Sequence, residues 1–185
     1  MTGTRTGLQY AGPRSKIDEW LCPTPTRLAT IDGVQEVVAG HAHICVRGRS
    51  GEVRCLGRNP EGALGDGTLQ DRASLADRIA RLPPVARLCA GGWHSCAATV
   101  DGRVFCWGDN RDGELGDGTT TDRATPVQTR GLDHVVEVAC GTSFSCALLQ
   151  SDEVKCWGLV EDGSGNSPTE PRPLMLPSKS ASAIH

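Results

Sequence analysis

Aromatic residues are scarce in this 185-residue chain: four Trp, two Phe and one Tyr, 4% of the total. An ordinary aromatic-rich core is therefore excluded, and other groups must supply the packing. No stretch of 18 consecutive apolar residues occurs, which leaves no candidate for a membrane-spanning helix. Residues 1–21, MTGTRTGLQYAGPRSKIDEWL, contain no apolar segment of the secretory-signal kind. Lysine is nearly missing, with Lys16, Lys155 and Lys179 alone, and the formal charge is -3. Without a basic stripe to track a phosphate backbone, nucleic acid is not expected as a partner.

What is abundant is glycine and cysteine. Glycine numbers 23 of 185, well above the roughly 7% of average proteins, so turns are frequent. Nine cysteines point to an oxidising compartment, in tension with the missing export signal.

The chain repeats itself. HAHICVRGRSGEVRCLG (41–57), GWHSCAATVDGRVFCWG (92–108) and TSFSCALLQSDEVKCWG (142–158) align without gaps. Cys45, Cys96 and Cys146 are spaced by 51 and 50 residues, as are Cys55, Cys106 and Cys156. Downstream, NPEGALGDGTLQDRAS (59–74) matches NRDGELGDGTTTDRAT (110–125), whereas the third copy lacks the Leu-Gly-Asp-Gly-Thr segment. Residues 23–34 match the tail of a unit, aligning with 124–135. Short apolar runs broken by Gly, Asp and Asn argue strand and turn throughout. The one helical hint is SKIDEWL, 15–21. The expected organisation is an N-terminal tail (1–22), three repeats over 23–177 (about 35–84, 85–134 and 135–177) and a disordered tail at 178–185.

Each cysteine pair is C-x9-C about a turn. A three-residue loop ending in Gly51 or Gly102 sets Ala98 opposite Val104 and Ala97 opposite Phe105, so that Cys96 faces Cys106. The same count opposes Cys45 to Cys55 and Cys146 to Cys156, with Asp152 in the glycine position of the third loop. Opposed strand residues lie within disulfide reach, so three hairpin disulfides are predicted, each contributing about 2–3 kcal/mol. Buried thiols are the alternative. Cys22, Cys89 and Cys140 are left unassigned, Cys89 aligning with Ala139 and Cys140 with Ala90.

Residues 91–126, GGWHSCAATVDGRVFCWGDNRDGELGDGTTTDRATP, resemble the regulator of chromosome condensation repeat family, and the cysteine-bearing form is similar to that of bacterial members. The resemblance implies an all-β fold of β-propeller blades with four antiparallel strands each. About three repeats then make an incomplete propeller, closed by further blades, by self-association or by a partner. Leu56 stands where the other units have Trp107 and Trp157, and Phe144 where they have His43 and His94.

The resemblance implies a non-enzymatic protein-binding module, and the paired cysteines imply an extracytoplasmic or secreted one. The competing expectations are a guanine-nucleotide exchange regulator of a small GTPase, which needs reduced cysteines, and a propeller enzyme resting on acids such as Asp66 or Asp117. Trp93 with His43 and His94 is the expected contact set for an unidentified protein ligand, the alternative for Trp93 being packing between blades. No metal or cofactor is expected. His41, His43 and Cys45 share a strand face near Cys55, yet the other units do not repeat the set. The segment 109–122 breaks the calcium-loop spacing at Arg111. Gly91-Gly92 precedes no phosphate-loop lysine, and His94 and Ser95, adjacent on a strand, face opposite ways.

Overall fold

The computed structural model describes residues 33–75, 77–160 and 167–173; the helix expected at 15–21 and the tail expected at 178–185 lie outside them. Eleven strands form among these residues: β1 (Glu36–Ala39), β2 (His43–Arg47), β3 (Val53–Gly57), β4 (Val85–Ala90), β5 (His94–Thr99), β6 (Val104–Gly108), β7 (Arg123–Gln128), β8 (Val135–Cys140), β9 (Phe144–Leu149), β10 (Val154–Gly158) and β11 (Arg172–Pro173). They make three antiparallel meanders in chain order: β1-β2-β3, β4-β5-β6-β7 and β8-β9-β10-β11. The first strands lie side by side, β1 against β4 and β4 against β8. The sheets therefore stand as consecutive blades of an open arc.

The hairpin register follows from the turns. Ala98 pairs Val104, Ala97 pairs Phe105 and Cys96 pairs Cys106, while Cys45 pairs Cys55 and Cys146 pairs Cys156. Gly51 and Gly102 turn the loops at φ +82° and +80°, and Asp152 takes the same left-handed region at +64°.

Among the described residues, four strands per blade hold for the second and third units, and three strands with one bridge for the first. There the fourth strand is a single bridge, Gly57 to Arg72, where the second unit has the whole of β7.

The core lies between sheets. Cys45, Val53, Cys55, Leu64 and Ile79 of the first unit pack on Val85, Leu88, Ala97 and Trp107 of the second. Cys89, Cys96, Cys106, Leu115 and Leu132 of the second pack on Val135, Val138, Ala147 and Trp157 of the third. With so few aromatics, disulfides and two wholly buried indoles fill the space that rings would take.

Candidate functional site

The units are joined by a repeated hydrogen-bond latch. His43 Nε2 lies 2.8 Å from the hydroxyl of Ser95, and Ser95 donates to the carbonyl of Ala63 at 3.1 Å. Trp107 Nε1 donates to that same carbonyl at 2.8 Å, so both acceptor positions of Ala63 O are used. One unit on, His94 Nε2 meets Ser145 at 2.9 Å, Ser145 donates to Glu114 O at 3.0 Å, and Trp157 Nε1 donates to Glu114 O at 2.7 Å. Each serine has one proton and gives it to a carbonyl, so each imidazole must be the donor at Nε2. Nδ1 is then bare, and neither His43 nor His94 has a partner there. Burial holds both imidazoles neutral, with pKa values lowered to about 4, the neighbouring His43 adding to the effect on His94.

This packing explains Gly91. A Cβ there would sit 2.2 Å from His94 Cε1 and 2.5 Å from the Gly141 carbonyl, so no side chain fits beside the ring.

The carbonyls that receive the latches belong to loops held by a central asparagine. Asn110 is fully buried; its Oδ1 accepts the Leu115 N–H at 3.0 Å and its Nδ2 donates to Thr119 O at 3.1 Å. Asp117 accepts the Thr119 N–H and hydroxyl at 2.9 and 2.6 Å and pairs with Arg123 at 2.9 Å. The first unit repeats this with Asn59, Leu64, Thr68, Asp66 and Arg72. Asp66 and Asp117 are thus committed to loop structure, their oxygens already engaged.

The structure separates the three expected contact residues. His43 and His94 are 2% and 0% exposed and serve as latches inside the arc, which corrects their reading as surface contacts: a ring that donates across a unit boundary is buried by the boundary. Trp93 remains partly exposed. Its indole lies 5.2 Å from the His41 ring and 5.7 Å beneath the Arg58 guanidinium. Beside it runs a concavity of about 300 Å³ lined by Ala39, Gly40, His41, Ala90–Gly92 and Cys140–Thr142, at the ends of the three first strands.

His94 and Ser145 come nearest to a base and nucleophile, but both are wholly buried and the serine proton goes to a carbonyl. The pair holds units together.

All eight cysteines among the described residues are paired. Cys45–Cys55, Cys96–Cys106 and Cys146–Cys156 close the hairpins, each with 4.1 Å between α-carbons. A fourth bond, Cys89–Cys140, ties the second unit to the third across 51 residues. Sequence reasoning missed it and the serines alike. A signal for the serines existed: Ser and Trp occur together in the second and third units and are lost together in the first, as Ile44 and Leu56.

The model of the regulator of chromosome condensation (RCC1) repeat matches residues 101–148, and a second model of that description matches 85–114 and 135–164. The chain is 36% identical over 127 residues to the regulator of chromosome condensation of Drosophila melanogaster, covering 60% of this chain and 23% of that protein. It is 33% identical over 124 residues to the ultraviolet-B receptor UVR8 of Arabidopsis thaliana, covering 64% and 28%. The chain therefore spans about a quarter of the length of these two relatives. Among solved structures, human WBSCR16 superposes with a TM-score of 0.73 at 24% identity, covering 80% of this chain and 39% of that one. Prp20p of Saccharomyces cerevisiae gives 0.66 at 20%, covering 79% and 39%. At these identities the two structures establish the fold, an RCC1-type β-propeller arc. With three sheets in series, a repeated latch and repeat models matched across residues 85–164, the chain carries repeats of the regulator of chromosome condensation family.

Proposed function

We propose that this chain is a non-enzymatic, disulfide-stapled propeller segment that binds a protein ligand outside the cytoplasm or at the cell surface, as in the cysteine-bearing bacterial form of the repeat. The observation that carries this reading is the pairing of all eight described cysteines, including a bond between units. Reducing cytosol keeps such thiols open, whereas an oxidising compartment preserves the bonds. The contact face is exposed His41, which lines the concavity, together with the part-exposed Trp93 and Arg58 beside it. An indole flanked by two cation-capable side chains is the kind of residue on which binding energy concentrates at protein interfaces.

Acid-trapped alkylation of the source cells tests the compartment: disulfide-linked peptides are expected, and fully alkylated cysteines overturn export and reopen the exchange-regulator reading. Affinity capture with parent and Trp93→Ala chains from the extracytoplasmic fraction tests the face. A protein retained by the parent and lost about tenfold with the variant is expected; equal retention by both chains overturns this face.

A further inference from the structure

We propose that Cys140 is an S-thiolation site from which a disulfide-exchange relay runs inward to Cys106. The proposal rests on the four disulfides and is independent of the contact face and its ligand.

Cys89–Cys140 differs from the other bonds in three ways. It joins two units, where the others close hairpins. Cys140 is half-buried and lines the concavity beside Gly91, Gly92, Gly141 and Thr142, so an external thiol has a path to its sulfur. Third, the Sγ atoms of Cys89, Cys96 and Cys140 all lie within 4.8 Å of one another. Cys89 pairs across strands with Cys96, and Cys96 with Cys106, which sets three sulfurs in a row on one face of the second sheet with Cys140 against them. Among the described residues this gathering occurs once.

The chemistry needs no oxidant. A small-molecule thiolate attacks Cys140 Sγ and forms a mixed disulfide there, and the electron pair of the broken bond leaves on Cys89. The Cys89 thiolate then attacks Cys96 Sγ; a Cys89–Cys96 bond forms and the Cys96–Cys106 bond breaks, releasing Cys106. The proton given up by the external thiol ends on Cys106. One thiol is consumed, one is produced, and the total number of disulfides is unchanged: the chain loses one internal bond and gains the mixed disulfide on Cys140.

Cys106 has a partner waiting for its thiol form. Its Sγ lies 3.3 Å from Thr129 Oγ1, and that hydroxyl already donates to Leu115 O at 2.9 Å, so the threonine oxygen is free to accept an S–H. The equivalent position beside Cys55 is Arg78.

The test uses the full oxidised chain carrying Cys22→Ser, so that the odd cysteine contributes no thiol. It is treated with reduced glutathione, quenched in acid, alkylated and mapped by non-reducing peptide mass spectrometry. The expected product carries glutathione on Cys140, a Cys89–Cys96 link and alkylated Cys106. Alkylated Cys89 beside an intact Cys96–Cys106 bond overturns the relay, and glutathione absent from Cys140 overturns the site. Thr129→Val keeps all cysteines and removes the waiting acceptor. It is expected to lower the alkylated Cys106 fraction about fivefold with Cys140 modification unchanged; an unchanged fraction overturns the part assigned to Thr129.

Discussion

His94 of the second unit donates from Nε2 to the hydroxyl of Ser145 in the third across 2.9 Å, and neither side chain is exposed to solvent. The serine passes its own proton to Glu114 O, which also receives the Trp157 indole. Imidazole, hydroxyl, indole and loop carbonyl thus form one network spanning a unit boundary, with His94 and Glu114 from one side and Ser145 and Trp157 from the other. Such networks are cooperative, and breaking one member leaves the others short of partners in a dry place. Ser145→Ala is expected to cost about 1–3 kcal/mol in urea unfolding, because it strands the His94 donor. His94→Phe, the natural residue at the matching position of the third unit, removes that stranded donor. The double variant should therefore lose less than the sum of the two singles, and strict additivity in a double-mutant cycle would show the pair to be uncoupled.

Acid sensitivity follows from the same imidazoles. Burial lowers the pKa of His43 and His94 to about 4, whereas in the unfolded chain both return to about 6.5. Below 6.5 the unfolded state binds more protons than the native one, so stability falls as pH falls. The contribution is complete above pH 6.5 and lost progressively down to pH 4, by about 3 kcal/mol per histidine at most. His94→Gln retains a donor for Ser145 without a titrating ring. With Glu114, which takes up a proton over the same range, replaced by Gln in both chains, the urea midpoint of His94→Gln is expected to fall roughly half as much between pH 6.5 and 4 as that of the chain keeping both histidines; a parallel fall in both would remove the histidines as the cause.

The hairpins were legible because C-x9-C about a left-handed turn leaves one register, and Gly51, Gly102 and Asp152 all adopt the positive φ it requires. The Leu-Gly-Asp-Gly-Thr segments were legible as turns, although their buried asparagines were not. Contacts between units were hidden for a geometric reason. Aligning repeats compares equivalent positions, but a bond from one blade to the next joins a side chain facing forward to one facing back. Along a strand these alternate, so the partners fall one residue out of phase with the period. Cys89 and Cys140 show this offset: Cys89 aligns with Ala139, one residue short of its partner. The same logic hid the histidines. His43 and His94 look like a surface set when each unit is taken alone, and only the neighbouring serines, one unit on, account for their burial.

Glu114 titrates in the opposite sense. Its side chain is 1% exposed, and burial pushes its pKa up to about 7, helped by the nearby Asp109 and Asp112 charges. The native state therefore holds a proton that the unfolded state gives up near 4.5, so stability declines as pH rises from about 4.5 to 7 and stays lower above. Its Oε2 accepts the Asp112 N–H at 2.9 Å, a bond that a glutamine carbonyl reproduces. Glu114→Gln is expected to stabilise the chain by about 1–3 kcal/mol at pH 8 and to change little at pH 4. Equal effects at both pH values in urea titrations would separate the gain from ionisation.

The third hairpin carries a removable cost. Asp152 holds φ +64° where Gly51 and Gly102 hold +82° and +80°, and an L-residue with a Cβ pays about 1 kcal/mol or more in that region. Asp152→Gly removes the clash, while the greater freedom of glycine in the unfolded chain takes back part of the gain. The net expectation is a stabilisation of about 0.5–1 kcal/mol. The reverse change at the second hairpin is harsher: a Cβ on Gly102 would lie 3.0 Å from His134 Cα, with backbone rather than a flexible side chain as its neighbour. Gly102→Ala should therefore destabilise by more than about 1 kcal/mol, through left-handed strain and the His134 contact together. Urea midpoints measured with all disulfides oxidised check both. A neutral Gly102→Ala would mean that the His134 backbone yields, and a destabilising Asp152→Gly would mean that the aspartate side chain contributes more to the turn than its backbone costs.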